Sequence, residues 1–342
     1  TVLERVVGGT YFPPEDRHGQ PGFKKVLERI AAAWQQDHEK IAEQGEKIVA
    51  ALRGTARGAI SSAQPLDAKT LDAAYQQIAR GYDSRHGGFG GAPKFPRPVT
   101  LNLLFRIYAR EPKDSATGRR ALEMALFTLR KMAAGGIHDH LGGGFHRYAV
   151  DAYWHVPHFE KMLYDQAQLA TSYLDAFQIT REPIFESVAR DILDYVRRDM
   201  TAAGGGFFSA EDADSVTPLT EEKSEGAFYV WSKEEIDSVL GSDSEVFDFH
   251  YGVLPEGNAP AGSDPLGEFS RKNILIERHA IAETAKQFHK SEDEVRQALQ
   301  RNRTTLVALR AKRPRPHLDD KIITAWNGLM ISAFARAGHV FD

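Results

Sequence analysis

The chain has 342 residues, of which 42% are hydrophobic and 26% charged, with no cysteine and a formal net charge of −4. This is an ordinary soluble globular composition, long enough for two domains, and the missing cysteines exclude disulfides, thiolate nucleophiles and cysteine zinc sites within this sequence. The lack of a basic tract argues against nucleic acid as a partner, and the lack of a run of about 18 apolar residues argues against a membrane span.

The first 62 residues differ in pattern from the rest. Residues 2–7 are predicted to form a short strand, and residues 8–15, with paired glycines and paired prolines, a tight turn. A long amphipathic helix is predicted over residues 21–52, because apolar side chains recur there at helical spacing. Residues 54–65, rich in Gly, Ala and Ser, are predicted to be a linker.

From residue 66 onward the pattern is almost wholly helical. Helices are predicted at about 67–81, 97–110, 115–134, 158–180, 183–202, 232–240, 281–288 and 291–312, with a last helix after Lys321 and a short strand at 228–231. Three Gly-Gly-Phe triplets, at residues 87–89, 143–145 and 205–207, follow apolar helical stretches. Their spacing of about 56 and 62 residues matches two helices with their connections, which indicates an array of helical hairpins.

The loops beside these triplets carry most of the chemically reactive side chains. If the hairpins curl into a toroid, the loops meet at one rim, beside helix N-termini whose unpaired N–H groups favour anionic or hydroxyl-rich ligands. Polar residues that are distant in sequence would then line one pocket.

Histidines form the first group of candidates. Five of them lie within residues 138–158, and His155 and His158 are three residues apart near a predicted helix start. We expect these two side chains to face one cavity, where imidazole can donate or accept protons near neutral pH. Two other roles stay open: metal ligation, although no HExxH pattern is present, and hydrogen bonding to loop carbonyls or helix ends.

Carboxylates near the loops form the second group. They are Glu160, Asp165, Glu211, Asp212, Asp214, Asp319 and Asp320. Paired carboxylates can act as general acid and base on a glycosidic bond or can hold sugar hydroxyls. Helix capping is the alternative role, which fits Asp319 in particular.

Two tryptophans set among polar neighbours, Trp154 and Trp326, are candidates for stacking against the apolar face of a sugar ring. Core packing is the alternative role for these rings and for the other aromatic residues of the loops.

Six segments together carry a specific resemblance. They are residues 8–14 (GGTYFPP), 87–96 (GGFGGAPKFP), 139–145, 154–165 (WHVPHFEKMLYD), 211–215 (EDADS) and 321–328 (KIITAWNG). In these segments, which span nearly the whole chain, the sequence resembles the thioredoxin-like family that includes YyaL-type bacterial proteins and the spermatogenesis-associated proteins of animals.

The resemblance implies a mainly α fold, an incomplete (α/α) toroid of helical hairpins similar to six-hairpin glycosidases and N-acylglucosamine 2-epimerases. It implies two domains: residues 1–62, the C-terminal part of a thioredoxin-like domain with a linker, and residues 63–342, the partial toroid. The part of the thioredoxin-like domain that would carry its cysteine pair is absent, so a redox activity is unsupported in this chain. We expect the chain to be a fragment of a longer protein.

The expected function is that of a cytoplasmic, carbohydrate-active or carbohydrate-binding protein. Its expected partner is a small molecule, a sugar, with no cofactor, no metal, no nucleic acid and no membrane. In an epimerase-like reaction one of the paired histidines would remove a proton next to the carbonyl of a ring-opened sugar and the other would return one. Glycosidase-like carboxylate chemistry is an alternative, and so is a non-catalytic binding module attached to a redox domain.

The sequence therefore nominates two sets of site residues. The catalytic candidates are His155, His158, Glu160, Glu211 and Asp212. The substrate-binding candidates are His146, Trp154, Asp165, Asp214, Asp320, Trp326 and Asn327.

Overall fold

The structure of the protein, a computed structural model, describes residues 12–16, 21–60, 67–217, 222–264 and 267–342. Within these ranges the α-helices are α1 (Phe23–Ile60), α2 (Ala68–Arg80), α3 (Pro98–Arg110), α4 (Ala116–Ala134), α5 (Leu163–Thr180), α6 (Pro183–Asp199), α7 (Lys233–Leu240), α8 (Ser244–Tyr251), α9 (Ile281–Gln287), α10 (Glu292–Arg310) and α11 (Thr324–Phe341). The strands are short: β1 (Tyr148–Ala149), β2 (Pro157–His158), β3 (Lys161–Met162), β4 (Ala210–Glu211), β5 (Asp214–Val216), β6 (Lys223–Glu225) and β7 (Leu318–Asp319).

The chain divides into two compact units, residues 1–72 and residues 73–342. In the first unit α1 is kinked at Asp37, whose backbone is not helical (φ −155°, ψ 58°). Helix α1 continues to Ile60, so the predicted linker is wrong for residues 54–60. Each of the two glycines, Gly54 and Gly58, costs a helix only about 1 kcal/mol relative to alanine, and the surrounding Ala, Leu and Arg residues favour helix.

Other predictions for this region cannot be compared with the structure. The predicted strand at residues 2–7, most of the turn at 8–15 and residues 61–65 of the linker lie outside the described residues. The boundary between the predicted thioredoxin-like part (residues 1–62) and the predicted partial toroid (residues 63–342) stays a prediction.

Helix α5 is the central element of the second unit. It packs against α6, α11 and α3, and α3 pairs in turn with α4. Buried side chains such as Leu163, Leu169 and Tyr173 lie on several faces of α5, which is typical of a helix inside a core. The predicted mainly α fold, a partial array of (α/α) hairpins, is confirmed.

All three Gly-Gly-Phe triplets form the same turn. Both glycines of each triplet have positive φ, between 71° and 87°, a conformation that glycine adopts without strain. The phenylalanine then bridges back to a residue shortly after the end of the preceding helix, in the pairs Tyr82–Phe89, His138–Phe145 and Thr201–Phe207. The internal repeat in the sequence is therefore a repeat of one local backbone conformation.

Buried side chains hold these turns in place. Gln166, at the start of α5, accepts from the backbone N–H of Phe145 (2.8 Å) and donates to its carbonyl (2.6 Å). Asn327, at the start of α11, makes the same pair of bonds with Phe207 (2.7 and 2.9 Å). These bonds occupy the Asn327 amide, so the predicted substrate-binding role of Asn327 is replaced by a structural one.

A three-stranded antiparallel sheet joins the second and third glycine loops. Strand β4 pairs with β3, which leads into α5, and with β7, which precedes α11. Lys161 thereby lies opposite Glu211. The second and third glycine loops, which were predicted to meet at one rim, are in direct contact through this sheet.

Two predicted elements differ from the structure. Residues 228–231, predicted as a strand, form a turn after Gly226, whose φ is 71°, and only Trp231 makes a bridge, to Asn273. The helix predicted to begin at residue 158 begins at Leu163, because residues 157–158 and 161–162 are extended and pair with other strands.

Candidate functional site

One group of polar side chains lies where the β1–β2 and β5–β6 hairpins meet the start of α5. We name it the His158 cluster, and its members are Arg147, His158, Glu160, Asp165 and Glu225. His158 belongs to β2, Glu225 to β6 and Asp165 to the first turn of α5. Residues from three loops are thus brought to one place by the short strands that flank the helices.

His158 lies between two carboxylates. Its Nδ1 donates to Glu225 Oε1 at 2.7 Å, and its Nε2 is 3.5 Å from Glu160 Oε2. Burial lowers the pKa of His158, but Glu160 and Glu225 outweigh burial and raise it to about 9. His158 is therefore a cation at neutral pH, and its side chain is still 26% exposed. It can donate a proton there but cannot accept one.

Glu160 is an ionised partner of that cation. The contact with His158 is the largest influence that lowers the pKa of Glu160, and Arg147, at 2.7 Å, lowers it further. The Nε of Arg147 is buried without a hydrogen-bond partner in the described part of the chain.

Asp165 has the opposite character. It is 7% exposed, and its Oδ2 finds no hydrogen-bond partner among the described residues. Burial raises the pKa of Asp165 to about 7, although Arg147 counteracts the shift. The cluster therefore holds an ionised carboxylate, Glu160, and a carboxyl that is about half protonated at neutral pH, which is the pattern of an acid and base pair.

We expect Asp165→Asn to stabilise the protein at alkaline pH. The folded pKa of Asp165 is above its unfolded value of about 3.9, so its contribution is favourable below pH 4 and is lost as the pH rises through about 7. Asparagine removes the penalty of a buried charge, so the free energy of unfolding should rise by roughly 2 kcal/mol at pH 8 and by little at pH 4.5. Thermal unfolding of both proteins at the two pH values measures this, with exposed Asp320→Asn as the control. The same stability difference at both pH values would contradict it.

Aromatic rings flank the His158 cluster. Tyr148 stacks on His158 with ring centres 5.0 Å apart, and Phe95 lies 4.7 Å beyond Tyr148. On the α11 side, Trp326 packs edge-on against Tyr164 at 4.8 Å. These rings are only partly buried or, for Phe95, 39% exposed. The predicted stacking role of Trp326 is thus compatible with its position, and it stays a prediction.

Glu211 lies elsewhere, in the wall of a cavity of about 220 Å³ that we name the Glu211 cavity. Its carboxylate is 3% exposed and accepts from Tyr195 Oη at 2.6 Å and from Arg315 at 2.8 Å. Tyr195 and Arg315 hold the Glu211 carboxylate. Glu211 is therefore a buried, ion-paired side chain that lies outside the His158 cluster.

His155 does not share a cavity with His158, so that prediction is wrong. The helix near which both residues were predicted to lie does not begin until Leu163. His158 lies in β2, whereas His155 lies outside β2, before a bend at Val156. His155 is 8% exposed and lines a separate cavity of about 520 Å³ with Asn258 and Arg278. Burial lowers the pKa of His155, so it is neutral where His158 is charged.

Trp154 offers no ring face to a ligand, contrary to its predicted role. The ring is fully buried, its Nε1 donates to the carbonyl of His86 at 3.0 Å, and it packs directly on Gly88. His146 is also interior: it is 2% exposed and its Nδ1 donates to the carbonyl of Phe159 at 2.9 Å. Both residues support the loops from within.

The remaining predicted residues fall into two groups. Asp214, in β5, lies near the His158 cluster. Burial, Asp212 and Glu225 raise the pKa of Asp214, and the nearby His158 counteracts them. Asp212 accepts from the backbone N–H of Ala213 at 2.8 Å and so shapes the loop. Asp320 is exposed, next to β7.

Arg147 and Glu225 complete the His158 cluster, although neither was predicted from the sequence as a site residue. Glu225 reaches His158 across 67 residues, through the pairing of β5 with β6. A lone Glu in a polar loop gives no local signal of such a contact. In the described residues, no group of three or more His, Asp or Glu side chains is arranged to hold a metal ion, and no helix is long and apolar enough to cross a bilayer.

The described residues define a class of protein: a mainly α array of helical hairpins with a cationic imidazole held between carboxylates at the loops. Residues 2–53 match the family model "Thioredox_DsbH: Protein of unknown function, DUF255". The chain is 43% identical to "Spermatogenesis-associated protein 20" of Homo sapiens, in an alignment 350 positions long that covers 99% of the chain. It is 42% identical to the Mus musculus protein of that name, in an alignment 348 positions long that covers 98% of the chain. The resemblance to this family is confirmed, and the chain spans 44% of the length of each of these relatives.

Solved structures give weaker likenesses. One is described as a sugar epimerase from a ruminal bacterium (TM-score 0.34, 11% identity, covering 79% of this chain and 82% of that one). Another is a mannosidase of glycoside hydrolase family 76 from Bacteroides thetaiotaomicron (TM-score 0.31, 11% identity, covering 72% and 55%). Scores this low carry no argument about activity.

Proposed function

We propose that the chain binds and acts on a carbohydrate at the His158 cluster. The supporting observation is the partly exposed His158 imidazolium, held by Glu225 at 2.7 Å and facing Glu160 at 3.5 Å. Carboxylates and imidazole are suited to hydroxyl groups, and the flanking rings of Tyr148 and Trp326 are suited to the apolar face of a sugar.

The charge on His158 changes the roles assigned from sequence. In an epimerase-like reaction His158 is the acid that donates to the carbonyl oxygen of the open-chain sugar. The base that removes the proton from the adjacent carbon is then a carboxylate, for which ionised Glu160 is the candidate. His155, in its separate cavity, takes no part.

Glycosidase-like chemistry at the same cluster is the alternative. Asp165, with a pKa raised to about 7, would protonate the leaving oxygen, and Glu160 would act as the ionised carboxylate. A non-catalytic module is the other alternative, favoured by the match of residues 2–53 to a thioredoxin-like family. Cytoplasmic localisation stays a prediction.

Exchange of solvent deuterium into reducing sugars tests the epimerase reaction. We expect deuterium to appear on the carbon next to the carbonyl with the intact protein, and His158→Gln to slow its incorporation by about 100-fold, the lower range for loss of an acid or base. His339→Gln, at an exposed position on α11, is the matched control and should keep full activity. Sugar binding without deuterium exchange would contradict the epimerase reaction and support a non-catalytic binding module. Release of reducing ends from oligosaccharides would favour the glycosidase reaction.

The pH dependence of kcat/KM separates the two acids. If His158 donates the proton, the rate falls as the pH rises through about 9, because the imidazolium is then lost. If Asp165 donates it, the fall comes near pH 7. A rate that keeps rising beyond pH 9 would exclude both residues as the acid.

A further inference from the structure

The Glu211 cavity is enclosed by charged and aromatic side chains that the proposed function does not use. Its floor is the second glycine loop, with Asp139, and its walls come from β3, β4, the end of α6 and the end of α10. It is about 220 Å³ in volume, below the usual range of about 300–1,000 Å³ for ligand pockets. An occupant must therefore be small.

The charges around this cavity do not balance. Among the described residues that line it, the cations are Lys161, Arg198, Arg310 and Arg315, and the carboxylates are Asp139, Asp199 and Glu211. Each carboxylate is engaged, for example Asp139 by Arg310 at 2.8 Å and by Lys161 at 2.8 Å. One positive charge is left in excess within a largely buried space, which favours an anionic occupant.

Tyr229 supplies an unused hydrogen-bond donor. Its side chain is 7% exposed, and its hydroxyl has no hydrogen-bond partner in the described ranges of the chain. The hydroxyl is close enough to Glu211, Asp139, Arg310 and Arg315 for their charges to influence its pKa, which burial raises well above its ordinary value. Tyr229 and these four residues all line the cavity.

A buried hydroxyl without a partner is costly unless something binds it. Arg310 and Arg315 line the cavity with Tyr229, and Arg310 Cζ lies 5.4 Å from the centre of the Tyr229 ring. Since Asp139 and Glu211 are already ion-paired, a neutral tyrosine beside these guanidinium groups is suited to donate to an oxyanion. The adjacent rings of Phe228 and Tyr195 provide an apolar surface for a small organic body.

We propose that the Glu211 cavity binds a small organic anion, whose carboxylate or phosphate oxygen accepts from Tyr229 beside Arg310 and Arg315. The site is distinct from the His158 cluster and does not depend on the activity proposed there.

Calorimetric titration of the intact protein with glucose, gluconate and glucose 6-phosphate tests this, because the three probes share a small polyol body and differ in the charged group. We expect gluconate, glucose 6-phosphate or both to bind at least tenfold more tightly than glucose, and the tighter of the two assigns the source of the oxyanion. Equal affinity for all three, or no binding of either anion, would overturn the proposal.

Variants locate the binding. Tyr229→Phe keeps the ring and removes the donor, and we expect it to weaken anion binding about tenfold or more, as for a hydrogen bond to a charged group. Tyr108→Phe, a partly buried tyrosine of α3 that does not line the cavity, should bind as the unaltered protein does. Unchanged affinity in Tyr229→Phe would contradict the assignment.

Arg315→Gln gives a second test if Tyr229→Phe does not fold, since the Arg315 side chain is 47% exposed. It removes the excess charge, so anion affinity should fall while glucose affinity stays the same. His158→Gln should retain anion binding; loss of anion binding in a folded His158→Gln protein would place the anion at the His158 cluster instead.

Discussion

Replacing Asp139 with Asn is expected to lower the free energy of unfolding of the unit formed by residues 73–342 by about 3–5 kcal/mol. Asp139 receives Arg310 in a two-pronged contact (2.8 and 2.9 Å) and Lys161 at 2.8 Å. The side chains of Lys161 and Arg310 are 1% and 7% exposed. The substitution preserves the shape of the side chain but leaves two buried cations without a counter-charge.

The sign of the effect follows from the pKa of Asp139. Burial alone would raise it, but Arg310 and Lys161 hold it well below its ordinary value. The carboxylate therefore stabilises the fold at all pH values above about 4, the unfolded value, and this stabilisation is lost as the pH falls through the depressed folded value. The variant should be compared with the unaltered protein at pH 7.

Urea unfolding followed by tryptophan fluorescence measures the loss. The control is Asp243→Asn, which breaks a surface pair with Arg301, a residue 62% exposed on the same helix as Arg310; it should change stability by at most about 1 kcal/mol. The double variant Asp139→Asn, Arg310→Met should be less destabilised than the sum of the two single variants, because one uncompensated charge is removed. A loss below 1 kcal/mol in Asp139→Asn would show that the network is not essential to the fold.

The second large effect is expected for Gly144→Ala, in the second glycine turn. Gly144 has φ +77°, and a Cβ there would lie 2.6 Å from the Tyr195 ring and 3.0 Å from Gln166 Oε1. Left-handed backbone costs a non-glycine residue about 1–2 kcal/mol, and a steric overlap in a packed core costs about 1–3 kcal/mol more. We expect a total loss of roughly 3–5 kcal/mol, together with loss of the Gln166 bonds to Phe145.

Gly205→Ala is the control, because it changes a glycine with a similar positive φ, the first of the pair in the third turn. Its φ is +87°, and a Cβ there meets nothing within 4 Å, so only the backbone penalty of about 1–2 kcal/mol should remain. Thermal unfolding of the two variants under one condition measures the difference. Equal losses would mean that Tyr195 and Gln166 move away from Gly144 without penalty.

The glycine turns show which features could be predicted from sequence. Helix periodicity and paired glycines are local signals, so the helices predicted for the second unit, apart from the start of α5, and the three equivalent turns agreed with the structure. Helix α8 (Ser244–Tyr251) was not predicted. The linker predicted at residues 54–60 did not, because two separate glycines, Gly54 and Gly58, with favourable neighbours do not end a helix.

His155 and His158 show where prediction of the site failed. Their spacing indicated one face of a helix, but Pro157 and His158 pair with β1 in a strand, so the helical spacing does not apply to the two side chains. Trp154 failed for a related reason: polar neighbours in sequence suggested an exposed ring, whereas the close approach of Gly88 buries it. In both cases contacts with another segment outweighed the local pattern.

The sequence by itself determined the helical array, the repeated turn and the loops in which polar residues concentrate, because each depends on neighbours within a few positions along the chain. Only the tertiary structure decided which of those residues meet. Glu225 lies 67 residues from His158, and Arg310 lies 171 residues from Asp139. The charge state of each group is set by such distant partners and by burial, and neither is encoded in local spacing.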